Sequence, residues 1–469
     1  MNKTKIICTI GPASKSVDIL SELVDSGMNV ARLNFSHGTY ESHQEVIDNV
    51  KQVRKNKKRP IAIMLDTKGP EIRIGKFENN LNFLLEAGSQ IIFTSEDVIG
   101  TKQRVSISYK NLWKELKVGQ KILVDDGAIT LMVKEIVNQD IVCETVVGGK
   151  LSSNKGVNIP YIHLNMPYMS EKDKNDILFG IKNEVEYIAA SFVRSKEDVL
   201  ILRDFLNNNG GERIKIISKI ENLEGIDNFD SILEVSDGIM VARGDMGVEV
   251  PYAQIPGIQK RFIKKCNEWG KIVITATQML ESMTNNIMPT RAEITDVANA
   301  VFDGTSAVML SGETTVGKHP VLVVKAMYKI VEQAEKDNMG VDVDRKYVKG
   351  DKPNAICDGA CVIARDLGAK AIVAISKYGN TAILVAKYRP KQLIVGATPC
   401  RRTYQQLAMV WGVNPILTSI QYTEEDLMKN TIEVLKEYGY AEKGDTVVVT
   451  AGLPLNESGS TNFLKVLEV

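Results

Sequence analysis

The chain has 469 residues, enough for two or three domains around a large buried core. Lys plus Arg and Asp plus Glu both total 58, so no net field draws it to nucleic acid or to an anionic membrane, and only local phosphate sites stay open. The six cysteines are scattered with no CxxC pair, which argues against a zinc ribbon and predicts the reduced thiols of a cytoplasmic protein.

No stretch has the length and apolarity of a signal peptide or a membrane span. From the N-terminus strand and helix patterns alternate: strand 6–10, helix 16–26 stopped by Gly27, strand 29–35, helix 40–56 and strand 61–65, which runs into Asp66-Thr67-Lys68-Gly69-Pro70. Over 71–167 the rhythm changes to short alternating runs separated by turn pairs such as Asp126-Gly127 and Gly148-Gly149. That pattern predicts an inserted all-β module.

Beyond Pro167 the first rhythm returns. Ser170 caps a helix with Glu171 and Asp173 in its first turn, and strands follow at 187–193, 214–220, 238–241, 271–275 and 307–310. Three strands before the insertion and five after it make eight, the number of a closed β/α barrel. An open doubly wound sheet is the alternative, but it would use fewer strands and a glycine-rich first turn, which this chain lacks. A charged linker over 337–352 then leads to a small α/β unit with elements at 355–367, 371–375, 381–388, 393–395, 404–409, 426–438 and 446–449.

Polar residues collect where the strands end, which is where barrel enzymes place their chemistry. The strand over 214–220 carries Lys219 and, two residues on, Glu221, so period-two alternation points both to one side. A buried lysine and carboxylate at a strand rim are costly unless something there needs them, although a structural ion pair is the commoner explanation of any single pair. The next strand repeats the design with Arg243-Gly244-Asp245, setting Asp245 beside Glu221 in a manner that suits a magnesium ion carrying a phosphate.

Arg32, Asn34 and Ser36 alternate along another strand end. The arginine suits bidentate phosphate recognition. The Asn34 and Ser36 oxygens, with Asp66 and Thr67, could enclose a monovalent cation or serve only in strand-end hydrogen bonds. Gly312-Glu313-Thr314-Thr315-Val316-Gly317-Lys318 spells a phosphate-binding loop, but His319 follows where that motif needs a hydroxyl, so a Walker site is not expected. No HExxH, GxSxG or Ser-His-Asp set occurs, which leaves nucleophilic hydrolysis poorly supported. Arg243-Gly244-Asp245 ends a buried strand, which makes an adhesion tripeptide the weaker reading.

Taken in order, Thr9-Ile10-Gly11-Pro12, Ala31-Arg32-Leu33-Asn34-Phe35-Ser36-His37-Gly38, Leu65-Asp66-Thr67-Lys68-Gly69-Pro70-Glu71-Ile72-Arg73, Lys155-Gly156-Val157-Asn158, Ile217-Ser218-Lys219-Ile220-Glu221-Asn222, Ala242-Arg243-Gly244-Asp245-Met246-Gly247, Ala276-Thr277-Gln278-Met279 and Leu310-Ser311-Gly312-Glu313-Thr314 resemble the pyruvate kinase family over the whole chain. The resemblance implies an eight-stranded β/α (TIM) barrel over 1–69 and 168–340, a β-barrel lid domain over 70–167, and a C-terminal α/β effector and oligomerisation domain over 341–469. It implies phosphoryl transfer from phosphoenolpyruvate to ADP, giving pyruvate and ATP. By that likeness Glu221 and Asp245 hold Mg²⁺ (or Mn²⁺), and Asn34, Ser36, Asp66 and Thr67 hold K⁺. Arg32 contacts the transferring phosphoryl group, Lys219 stabilises its transition state, and Arg73 with Lys155 reaches the nucleotide phosphates. The Gly244 and Asp245 backbone with Thr277 anchors the substrate carboxylate. The likeness does not name the proton donor to the enolate, and a water relayed near Thr277 and Ser311 is the reading favoured here.

In this family an acid at the position of Glu71 accompanies potassium dependence and a lysine accompanies independence. Two departures stand out. Ser306 replaces the family's usual acid, and the effector loop Ser376, Lys377, Gly379 and Thr381 is poorer in hydroxyls than usual, so its phosphorylated effector is left open. The likeness further implies a homotetramer, with no nucleic acid or membrane partner. It is read as lacking the extra C-terminal domain of some bacterial members.

Overall fold

The computed structural model describes residues 2–162, 164–337, 350–420, 423–454 and 461–469. Most of the predicted 337–352 linker lies outside them. Eight parallel strands close into a barrel: β1 (Lys5–Thr9), β2 (Met28–Asn34), β3 (Ala62–Asp66), β4 (Tyr187–Ala190), β5 (Lys215–Ile220), β6 (Gly238–Ala242), β7 (Ile272–Ala276) and β8 (Ala307–Leu310). Each pairs with its sequence neighbours, and β8 closes on β1 with Ile6 opposite Val308. The sequence reading places these strands within a few residues of their observed ends. Runs buried on both faces are unbroken and apolar, so they stand out from their surroundings.

Alternation along each strand sorts the side chains into two layers. Ile7, Val30, Met64, Tyr187, Ile217, Met240, Ile274 and Met309 fill the lumen. Their neighbours Ile6, Ala31, Leu33, Ile63, Leu65, Ile188, Ile216 and Val273 pack outward against the helices. Each large apolar side chain buried this way contributes about 1.5–3 kcal/mol. The lumen layer continues below the barrel into Leu407, Met409 and Val413 of the C-terminal unit, so the two share one core. Tyr187 crosses that floor and donates its hydroxyl to Gln406 O at 2.7 Å.

The insertion after β3 is a seven-stranded sheet with a separate two-stranded ribbon. Its outermost strands, Ile72–Arg73 and Arg104–Ser106, meet through the bridge Ile74–Ile107 and the bond from Gly75 N to Ser106 O at 2.8 Å, which curls the sheet round on itself. The module leaves the barrel at Gly69, whose φ of 71° places it in the left-handed region. A Cβ there would lie 2.8 Å from Ser191 O. Asp173, which closes the capping box of helix Glu171–Lys182, also accepts from Gly69 N at 3.0 Å and so ties this junction to the barrel.

The C-terminal unit is a five-stranded sheet in which the antiparallel strand Thr461–Glu468 joins four parallel strands. That strand and Val413–Leu417, at the two edges, are absent from the sequence reading. All six cysteines are free, as expected. No helix among the described residues is long and apolar enough to cross a membrane.

Candidate active site

The alternation that fills the lumen also delivers its charges. Thr9, Arg32, Asp66 and Lys219 each follow a lumen-facing residue by two positions, so their side chains crowd the upper mouth of the barrel. Asp66 sits at the centre. Its Oδ2 accepts from Arg32 Nε at 2.6 Å, and its Oδ1 accepts from Lys219 Nζ at 3.0 Å and Ser191 Oγ at 3.1 Å. Lys219 Nζ also donates to Ser191 Oγ at 2.6 Å and pairs with Glu221 Oε1 at 2.9 Å. Arg32 Nη1 reaches Thr9 Oγ1 at 2.8 Å. Phe192, at φ 54°, turns its N–H onto Glu221 Oε2 at 2.6 Å.

Asp66 and Glu221 are each 1% exposed, so these contacts are made with little water to screen them. Burial alone would raise the Asp66 pKa, but Arg32 and then Lys219 outweigh it and hold the carboxylate below its usual range. Burial alone would lower Lys219, yet Asp66 and Glu221 together hold the ammonium well above an ordinary lysine. Glu221 goes the other way. Burial lifts it to about 8 against the pull of Lys219, with Asp245 and Asp66 adding to the rise. Two cations, Arg32 and Lys219, face three carboxylates, Asp66, Glu221 and Asp245, and the crowding raises Glu221, so a further cation beside Glu221 and Asp245 would be needed to keep both ionised.

Asp245 lies on the short helix Arg243–Glu249 that follows β6. Arg243 fixes that helix against β7, donating to Thr277 O at 2.7 Å and to Asp296 Oδ1 at 2.7 Å. Thr277 and Gln278 both adopt positive φ, 66° and 54°, bending the strand exit so that Thr277 Oγ1 accepts from Gly244 N at 2.8 Å. Asn34 is the register partner of Asp66, and its Oδ1 accepts from Ser36 N at 3.1 Å. Thr67 Oγ1 accepts from Ser191 N at 3.1 Å. Asn34, Ser36, Asp66 and Thr67 thus share one corner of the rim.

The inserted module overhangs this rim. Its tip, Asp125-Asp126-Gly127, has three successive positive φ angles, and a Cβ at Gly127 would touch Val248 on the helix of Asp245. Asn158 Nδ2 donates to Glu249 Oε1 at 3.0 Å. Burial raises Asp126, Asp245 and Asp125 add to the rise, and Lys155 and Arg73 oppose it, so both predicted nucleotide residues act on the tip of the module, the same tip that feels Asp245 of the rim. Arg73 pairs meanwhile with Glu71 at 2.8 Å and Lys155 with Asp125 at 2.7 Å.

Ser191, Arg243 and Asp126 are the functional candidates that sequence reasoning left without a role. Each works through a tertiary contact, and only the placement of Ser191 and Arg243 at strand ends hinted at it. The Gly312–Thr315 segment is a single helical turn, and Glu313 spends its carboxylate on Ser311 N at 2.6 Å and Leu280 N at 3.1 Å, which leaves no phosphate loop.

The predicted effector loop lies in the C-terminal unit, apart from the rim. Gly379, at φ 83°, precedes helix Asn380–Lys387. Ser376 Oγ is buried with no hydrogen-bond partner among the described residues, Lys377 O accepts from Thr403 Oγ1 at 2.9 Å, and the Thr381 hydroxyl meets that of Thr461 at 2.8 Å.

Among the described residues no group of three or more His, Cys, Asp or Glu side chains could hold a metal alone. The pair Glu221 and Asp245 nevertheless fits Mg²⁺, which takes one or two carboxylates and fills its octahedron with water and substrate oxygens.

Comparison with known proteins agrees with this geometry. The pyruvate kinase barrel domain profile matches residues 1–324, and the pyruvate kinase alpha/beta domain profile matches residues 354–467. The chain is 49% identical to a pyruvate kinase of Clostridium acetobutylicum over 99% of both sequences. It is 48% identical to one of Staphylococcus haemolyticus, covering 99% of this chain and 80% of that one. A crystal structure of a pyruvate kinase from Cryptosporidium parvum superposes with a TM-score of 0.92 at 41% identity, covering all of this chain and 96% of the other.

Proposed function

The chain belongs to the pyruvate kinase family, and from that premise we propose that its charged rim is where phosphoenolpyruvate and ADP meet. The protein is a phosphotransferase of glycolysis that moves the phosphoryl group of phosphoenolpyruvate to ADP. The bond from phosphorus to the enol oxygen breaks, one forms to a β-phosphate oxygen of ADP, and the released enolate takes up a proton to become pyruvate.

Such a transfer needs alignment and charge neutralisation more than covalent help. Lys219, kept cationic by Asp66 and Glu221, stabilises charge on the phosphoryl oxygens in flight, and Arg32 steadies the same group from the next wall. Gly244 N exchanges Thr277 Oγ1 for the substrate carboxylate, which the Asp245 backbone and Thr277 also hold. The proton arrives through a water near Thr277 and Ser311. Arg73 and Lys155 leave Glu71 and Asp125 for the nucleotide phosphates as the lid, 70–167, closes over the barrel, 1–69 and 168–340, and excludes water.

Glu221 and Asp245 hold Mg²⁺ or Mn²⁺, which when bound neutralises substrate oxygens. Asn34, Ser36, Asp66 and Thr67 hold K⁺. The unit over 341–469 serves assembly into a homotetramer and carries an anion loop at Ser376, Lys377, Gly379 and Thr381 for a phosphorylated effector. The working compartment is the cytoplasm. The observation that carries this reading is the unbroken chain Arg32–Asp66–Lys219–Glu221 ending beside Asp245, which forms no ion pair among the described residues.

The test is pyruvate formation from phosphoenolpyruvate with ADP, Mg²⁺ and K⁺ each withheld in turn. Product without ADP would mean that water takes the phosphoryl group and is released as phosphate, so the rim would not be a kinase site, and no product under any condition would make the chain a silent binding protein.

A further inference from the structure

At the other end of the barrel the C-terminal unit pushes a cation into the seam between the two. Arg389 follows helix Asn380–Lys387 with φ at 49°, a left-handed conformation that non-glycine residues rarely adopt, and its N–H closes on Ala386 O at 3.1 Å. The turn aims the guanidinium under the barrel. There Nη2 donates to Asn267 Oδ1 at 2.6 Å, Gly304 O at 3.0 Å and Ser306 Oγ at 3.4 Å. All three acceptors are neutral, and all three fall on one nitrogen.

Nε and Nη1 carry the remaining N–H groups. Both atoms are buried and have no hydrogen-bond partner among the described residues. The Trp411 ring lies 4.3 Å from the guanidinium carbon and covers a face, leaving the N–H edge unanswered. No carboxylate among the described residues forms an ion pair with Arg389. Glu335 acts from farther off, its oxygens already taken by Lys3 N at 2.9 Å and Thr4 N at 2.6 Å. Lys3, 5.2 Å from the same Trp411 ring, adds positive charge to the neighbourhood. Burial accordingly pulls the Arg389 pKa down to about 9.

Beside these groups is a cavity of about 20 Å³ lined by Asn267, Lys271, Ser306, Lys387, Arg389 and Trp411. That is room for one small species. A water molecule would satisfy an N–H and leave the charge uncompensated, whereas an anion does both. We propose that this cavity binds a single monatomic anion of the chloride class, held by Nε and Nη1 of Arg389 at the seam between the barrel and the C-terminal unit. The neutral Ser306 opposite leaves the compensating charge to be supplied from solution. Because the anion binds only where both units meet, it strengthens their junction.

Crystals of the full-length protein soaked in bromide test this directly. An anomalous peak is expected beside Arg389 in the wild type and not in Ser306→Asp, whose carboxylate supplies the missing charge. In solution, replacing gluconate by chloride at constant ionic strength should raise the wild-type Tm by about 2–4 °C and leave Ser306→Asp unmoved. A seam that holds ordered water and no bromide overturns the proposal, as does a Ser306→Asp variant that keeps the full chloride response. Arg389→Gln risks misfolding, and neither readout depends on it.

Discussion

The two ends of the barrel bury cations in opposite ways. At the upper rim Lys219 has carboxylate oxygens at 2.9 and 3.0 Å, and Arg32 has one at 2.6 Å. At the lower rim Lys5 donates to Val413 O at 2.8 Å and Lys3 to Pro390 O at 2.6 Å, so the partners are neutral carbonyls of the C-terminal unit. Both arrangements give their lysines hydrogen-bond acceptors, but only the upper one pairs them with carboxylates. The upper rim therefore keeps its lysine ionised in the dry interior and ready for an incoming phosphoryl group. The lower rim fastens two units together and gives up part of the ionisation to do so.

Substitutions can break this contrast at either end. The largest effect is expected of Lys219→Met, which should lower kcat by about 10³-fold or more while Mn²⁺ still binds, as read by steady-state assay and electron paramagnetic resonance. Near-wild-type turnover would remove Lys219 from the mechanism. Asp66→Asn should cost about 3–5 kcal/mol in urea unfolding, because it leaves two buried cations short of their counter-charge. The sign of its pH effect follows from the depressed native pKa. Asp66 contributes stability above its unfolded value near 4, and that contribution is lost as pH falls through the lower native value, so the variant should show a flatter acid limb.

The lower rim responds at the alkaline end. Burial, against Glu335, lowers Lys5 to about 8. Between pH 8 and its unfolded value near 10.4 the unfolded chain binds the extra proton, so stability should rise with pH there by up to about 3 kcal/mol. Lys5→Met should erase that slope and be the more stable at neutral pH, and an unchanged slope would show that Lys5 is not its source. The smallest expected change is in Glu71→Lys. K⁺ activation should shrink by a few-fold relative to wild type as the new ammonium stands in for the ion. Because Glu71 also holds Arg73 at 2.8 Å, the ratio of rates with and without K⁺ is the quantity to compare.

How much of this could be read in the sequence depended on how each residue acts. The barrel strands and the Lys219–Glu221 pair follow from local periodicity, and the pair does meet at 2.9 Å. The strand Val413–Leu417 escaped because Pro415 interrupts it, which an edge position tolerates and a central one would not. Thr461–Glu468 escaped because only one side of this edge strand is covered, and charges interleave its apolar residues. Ser191 and Arg243 showed only their strand-end placement and Asp126 only its turn, since what they touch lies far along the chain. The Ser306 departure was visible as an oddity, and its meaning came only with the position of Arg389.

The account rests on the pair of carboxylates left short of positive charge at the upper rim. Crystals of the full-length protein grown with Mn²⁺ and oxalate, a stand-in for the enolate of pyruvate, address it most directly. Anomalous density between the carboxylates of Glu221 and Asp245 is predicted, with oxalate completing the coordination. A manganese ion elsewhere, or none, would contradict it.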